Sequence, residues 1–150
     1  MTAPDQPLNI PQLLQTTRTI AVVGCSPKPE RDSHEVAQYL QQHGYRIVPV
    51  NPVVAASATP QILGERCYAT LHDAMQALPP GQRFDIVDVF RNSADVPPVV
   101  DDAIAVGAGM VWLQLGVAHA QAAAKAQAAG LGVVQDRCIK LDHMAWLAQG

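Results

Sequence analysis

The segment Gly24 to Ser33 (GCSPKPERDS) carries the clearest chemical signal in the sequence. It follows a β-branched run, Thr19 to Gly24 (TIAVVG), and precedes a helical pattern from Ser33 to His43 with apolar residues at Val36, Ala37 and Leu40. A glycine-initiated loop is thus delivered onto a helix N-terminus, where free backbone N–H groups and the helix dipole favour an anion. A phosphate is the natural guest. Asp32, with Glu35 three residues on, offers the alternative of an acidic capping box that satisfies the same donors without a ligand. From Ser26 to Glu35 the cations Lys28 and Arg31 face Glu30, Asp32 and Glu35, a net charge of −1. Binding there would rest on directed contacts and backbone donors more than on a positive field.

The other chemistry-bearing residues form no complete catalytic set. Of the dinucleotide fingerprint G-x-G-x-x-G only Gly24 is present, with Ser26 and Pro29 at the second and third glycine positions. The second strand ends Val50-Asn51-Pro52, where nicotinamide sites usually place an acid for the ribose. A nucleotide-binding oxidoreductase domain of the NAD type therefore remains only as an alternative. The histidines His34, His43, His72, His119 and His143 are dispersed, lack metal-site spacing and read as surface residues. Ser26, Ser33, Ser57 and Ser93 have no nucleophile-elbow context.

These residues need elements to hold them. Gly44 suits a helix end, and Arg46 to Asn51 (RIVPVN) is a second strand stopped by Pro52. Pro52 to Gly64 reads as a surface connection and Arg66 to Ala69 as a brief strand. Thr70 caps a helix to Leu78, and Asp85 to Phe90 (DIVDVF) is a strand. Asp95 caps a helix that tolerates Pro97 and Pro98 in its first turn and ends near Gly107. Met110 to Leu115 is a strand, His119 to Ala129 an alanine-rich helix closed by Gly130, and Gly132 to Asp136 a last strand before a partly helical tail.

Apolar strands alternating with helices require a mostly parallel sheet covered on both faces, a doubly wound, Rossmann-like α/β fold. The chain's 150 residues, 49% apolar, suit a single domain. We expect a leader or helix over residues 1–18, the domain over 19–143 and a tail over 144–150. Ligands of such sheets bind beyond the carboxyl ends of the strands, here Gly24 to Ser33, Asn51 to Pro52, Phe90 to Ser93, Gln114 to Val117 and Asp136 to Lys140. A net charge of −3 without basic runs argues against nucleic acid. Met1 to Ile10 lacks signal-peptide character, and the apolar stretch Ala103 to Leu113 is too short to span a membrane. Cys25, Cys67 and Cys138, odd in number and unpaired in spacing, suit a reducing cytoplasm.

In order along the chain, VVGCSPKPERDSHEVAQYL, GYRIVPVNP, ILGERCYATL, DIVDVFR, VWLQLGV and DRCIKLDH resemble the small CoA-binding domain proteins, which are similar to the N-terminal domain of succinyl-CoA synthetase α subunits. The resemblance runs from about Thr19 to His143. It implies that coenzyme A, free or acylated, is the cofactor. Gly24, Cys25, Ser26, Pro27, Lys28 and Arg31 would wrap its phosphate end, with Asn51 and Pro52 beside the nucleotide and Phe90 and Arg91 flanking it. Gln114, Leu115 and Gly116 would lie near the pantetheine arm. Read without the resemblance, Phe90 is core and Arg91 pairs with Asp88 or Asp95. The resemblance does not extend to ligase chemistry, because the synthetases carry their phosphorylated histidine in a separate domain. The expectation is a CoA-binding protein rather than a complete enzyme, one that sequesters, senses or presents the cofactor, with an acyl-CoA enzyme as a candidate partner and a homo-oligomer through edge strands or apolar helices as the other. A lowered thiol pKa at Cys25, near a helix N-terminus, would permit a mixed disulfide with CoA. Cys138 follows the last strand and is placed to do the same, or to be structural. An interaction module with a vestigial site, using Trp146 or the alanine-rich helix, is the remaining alternative.

Overall fold

The computed structural model describes residues 8–149, so residues 1–7 of the expected leader lie outside the described residues. Helix α1 (Ile10–Thr16) starts at Asn9, whose side chain accepts from the Gln12 amide at 3.1 Å. Strand β1 (Thr19–Val23), helix α2 (Asp32–Gln42) and strand β2 (Arg46–Val50) then form a parallel crossover unit. After it come helix α3 (Pro52–Ala55) and an antiparallel hairpin of β3 (Gln61–Ile62) and β4 (Glu65–Arg66). The remainder alternates: α4 (Leu71–Gln76), β5 (Ile86–Val89), a 3₁₀ turn at Ser93–Asp95, α5 (Val96–Ala105), β6 (Met110–Leu113), α6 (Ala120–Ala128), β7 (Gly132–Val134) and α7 (Ile139–Gln149).

The five long strands form one parallel sheet in the order β2-β1-β5-β6-β7, the single-domain Rossmann-like α/β architecture expected. Side-chain alternation gives each face its own core. Val87, Val89, Val111 and Leu113 pack under Leu71, Val100 and Ala126 of α4, α5 and α6. On the opposite face Ile20, Val22, Ile47, Ile86 and Trp112 meet Leu14, Val36, Leu40 and Ile139 of α1, α2 and α7. Each such aliphatic side chain taken from water contributes roughly 1.5–3 kcal/mol. Trp112 is fully buried because its indole N–H donates to the Arg137 carbonyl at 2.8 Å.

Several local expectations are corrected. The Asp32/Glu35 capping box does not form: Arg31 is the N-cap residue without a side-chain bond, Asp32 is already helical, and Glu35 accepts from Lys140 Nζ at 2.7 Å. Asp95 stands at the start of α5 but its side chain caps nothing, since the preceding 3₁₀ turn holds its backbone at φ −93°, ψ 1°. Pro52 opens α3 instead of merely ending a strand, because its absent amide costs nothing at a first helical position. The connection to Gly64 therefore carries structure. His34 and His143 are buried, not surface residues. Thr70 does cap α4, accepting from the Asp73 amide at 3.1 Å.

β1 and β5 are neighbours, yet the chain leaves β1 toward β2 and β5 toward β6. The connections beyond their carboxyl ends diverge and open a crevice, the place where sheets of this type hold ligands.

Candidate functional site

The crevice is built on Gly24. Its φ is +83°, and a Cβ there would stand 2.2 Å from the Phe90 carbonyl oxygen and 3.2 Å from Arg91 Cδ. Only glycine lets the two connections approach this closely. The loop that follows is organised by its own hydroxyls: the Ser26 amide donates to Ser33 Oγ at 2.9 Å and the Lys28 amide to Ser26 Oγ at 3.1 Å. Ser33 is thereby spent on the loop, and the Asp32, Ser33 and His34 amides at the start of α2 find no acceptor among the described residues. These are the free donors that a helix N-terminus offers to an anion.

Two adjoining cavities extend from this loop. One of about 570 Å³ is lined by Gly24, Ser26, Lys28, Glu30, Arg31, Asp32, Ser33 and Phe90. The other, about 830 Å³, is bounded by Arg31 at the N-cap and Asp32, Glu35 and Val36 on α2, by Phe90, Arg91, Asn92 and Asp95 after β5, by Gln114, Leu115 and Val117 after β6, and by Cys138, Lys140 and Leu141 before and in α7. Arg31, Asp32 and Phe90 belong to both, so the two form one trough along the carboxyl ends of β1, β5, β6 and β7. Lys28, Arg31 and Arg91 make no ion pair among the described residues, so the expected pairing of Arg91 with Asp88 or Asp95 is not found.

Eight residues singled out from sequence line the trough: Gly24, Ser26, Lys28, Arg31, Phe90, Arg91, Gln114 and Leu115. Phe90 also packs against the core, and Leu115 is 66% exposed. Gln114 is buried and its Oε1 accepts from the Ile139 amide at 3.2 Å, which ties the start of α7 to the end of β6.

The other five do not line it. Cys25 is 0% exposed, with its thiol in the core. Pro27 is exposed on the outer loop. Asn51 ties the loop down: its Oδ1 accepts from the Val53 and Val54 amides, while Nδ2 donates to the Cys25 carbonyl at 2.9 Å. Pro52 is the exposed first residue of α3. Gly116 adopts φ +84° and donates its amide to Asp136 Oδ1 at 2.6 Å.

Sequence reasoning passed over Glu35, Lys140 and Leu141 as site residues, and weighed Cys138 only for its thiol. Cys138 and Lys140 lie in the last strand-end segment named from sequence, so the positional signal was present. Only folding showed that α7 turns back over the same crevice.

The electrostatics of the floor are unusual. Asp88, in the middle of the sheet, is fully buried, neither carboxylate oxygen has a hydrogen-bond partner, and burial holds its pKa well above the usual carboxylate value. Burial, with smaller contributions from Cys67 and Asp88, pushes the Cys25 thiol up to about 12. The lowered pKa expected there is reversed, because the thiol points into the core and not toward the helix N-terminus. Among the described residues no group of His, Cys, Asp or Glu side chains gathers to hold a metal, and no helix is long and apolar enough to cross a membrane. Trp146 packs against the core edge-on to His143, with ring centroids 5.3 Å apart, and the alanine-rich helix buries Ala122, Ala123 and Ala126. A second cavity of about 700 Å³ lies at the amino ends of the strands, and its cation Arg83 is paired with Asp85 at 3.8 Å.

Comparison with known proteins gives consistent results. The family described as "CoA binding domain" matches residues 18–144. Uncharacterized protein YneT of Bacillus subtilis (strain 168) is 34% identical over 134 residues, covering 89% of this chain and 91% of that protein. A hypothetical protein from Pyrococcus horikoshii OT3 superposes with a TM-score of 0.81 at 35% identity, covering 98% of each chain. The Thermus thermophilus protein ID.343 superposes with a TM-score of 0.81 at 33% identity, covering 93% of this chain and 99% of that one.

Proposed function

This chain belongs to the CoA binding domain family, and from that premise we propose that it binds coenzyme A or an acyl-CoA in the trough. In this reading the phosphates sit against the loop of Gly24, Ser26, Lys28 and Arg31 and the N-terminus of α2. The rest of the cofactor runs past Phe90 and Arg91 toward Gln114 and Leu115. The observation that carries the reading is the continuity of the two cavities, which joins the Gly24 loop, with Lys28 and Arg31 unpaired among the described residues, to a longer, mixed polar and apolar channel bordered by Arg91. A compact phosphate would need only the loop; a phosphate attached to a long arm uses both. Cys25 and Gly24 contribute through backbone, Asn51 by holding the loop, and Gly116 by setting the end of β6.

Asn51 also weighs against a nicotinamide dinucleotide. It is an amide rather than a carboxylate, and its Oδ1 is already committed to two backbone amides, so it is poorly placed to accept from a ribose diol at the end of β2. Among the described residues the trough gathers no nucleophile with an oriented base, and in this reading the protein carries, senses or presents the cofactor while a partner supplies the chemistry.

Isothermal titration tests the reading. Coenzyme A is expected to give a saturable heat that weakens roughly tenfold in Arg31→Gln and in Arg91→Gln, through loss of charge-assisted hydrogen bonds. No heat with millimolar CoA would overturn it.

A further inference from the structure

Three cations border the larger part of the trough, Arg31, Arg91 and Lys140, against three acids, Asp32, Glu35 and Asp95. The lining is therefore neutral overall. Arg31 and Arg91 are unpaired among the described residues, but Lys140 is held: Nζ donates to Glu35 Oε1 at 2.7 Å and sits 5.5 Å from the centre of the Tyr39 ring. The Lys140 side chain is 24% exposed, whereas that of Glu35 is 59% exposed. The ammonium is thus anchored at the trough wall, and its carboxylate partner is the more loosely placed of the two. The pair joins the first turn of α2, just after the anion-binding loop, to the first turn of α7.

We propose that Glu35 is an internal competitor for Lys140, and that Lys140, once released from it, binds an anionic oxygen group of the ligand lying in the trough. The pair then decides which CoA derivatives bind best. This rests on the CoA reading above and adds to it a fourth cation whose availability the protein itself controls. An exposed ion pair is worth little to folding, about 0–1 kcal/mol for a typical surface pair, so exchanging Glu35 for a ligand anion costs the fold little. Two ligand groups share the required chemistry: the 3′-phosphate, and a carboxylate at the end of an acyl chain.

Titration of the full chain with CoA, 3′-dephospho-CoA and succinyl-CoA, in the wild type and in Glu35→Gln, Lys140→Gln, Lys140→Arg and the Glu35→Gln/Lys140→Gln double variant, tests this. Glu35→Gln is expected to tighten binding and Lys140→Gln to weaken it, each by roughly three- to tenfold. Lys140→Arg should restore affinity, and the double variant should match Lys140→Gln. If the 3′-phosphate is the group, the effects vanish with dephospho-CoA; if it is the acyl carboxylate, they appear only with succinyl-CoA. A purely structural pair would move both single variants in the same direction, and that result, or no change in either, overturns the proposal while leaving CoA binding intact. A wild type that binds none of the three ligands overturns the CoA reading and this proposal with it.

Discussion

Gly24 and Phe90 are in backbone contact: a methyl group on the Gly24 α-carbon would stand 2.2 Å from the Phe90 carbonyl oxygen, and Gly24 holds φ at +83°. Sterics and backbone strain act at one position, where the loops after β1 and β5 part. Gly24→Ala is expected to destabilise the fold by about 3 kcal/mol or more, and to abolish CoA binding where the protein survives. Urea unfolding measures the first effect and titration the second.

Asn51 anchors rather than recognises. Its side chain caps α3 and holds the Cys25 carbonyl at 2.9 Å. Asn51→Ala should cost about 1–3 kcal/mol in chemical denaturation. Asn51→Asp keeps the cap acceptor but loses the donor to Cys25, so it should retain part of that stability.

Asp88 makes the stability depend on pH in a specific direction. Its folded-state pKa is raised by burial, so above the unfolded value of 3.8 the unfolded chain releases a proton that the folded chain keeps. Stability from this group is complete at low pH and falls as pH rises, by about 1.4 kcal/mol per pH unit, until the folded-state pKa is reached. Asp88→Asn should remove this slope, so denaturation from pH 5 to pH 8 should show the variant gaining on the wild type. Parallel profiles would contradict the raised pKa of Asp88.

The cysteines should react unequally. Cys25 and Cys67 are buried with raised pKa values, and Cys138 is half-buried in the trough wall. Mass spectrometry after brief iodoacetamide treatment of the native protein should find Cys138 alkylated first, with CoA slowing the reaction.

Much of the fold was legible because its signals are local. The β-branched runs of β1, β2 and β5, the apolar run of β6 and the glycines after α2, α5 and α6 mark their elements without reference to the rest of the chain. The strand-end rule then located the crevice. What stayed hidden is tertiary. Glu35 has capping-box spacing to Asp32, yet its partner is Lys140, 105 residues away, and Ser33 is taken by the Ser26 amide. Asn51 stands where a ribose ligand would in a dinucleotide site, but the short helix beginning at Pro52 claims its side chain. His143 looks like an isolated tail histidine, and only the return of α7 over α2 buries it with Nδ1 2.8 Å from the Tyr39 hydroxyl.

The most direct measurement is the thermal midpoint with and without CoA, beside 3′-dephospho-CoA and NAD. A ligand that binds only the folded state adds about 2.7 kcal/mol at 100 times its Kd. The expected result is a rise in midpoint with CoA and none with NAD. No rise with CoA, or a rise with NAD alone, would contradict a CoA site in the trough between Gly24 and Gln114.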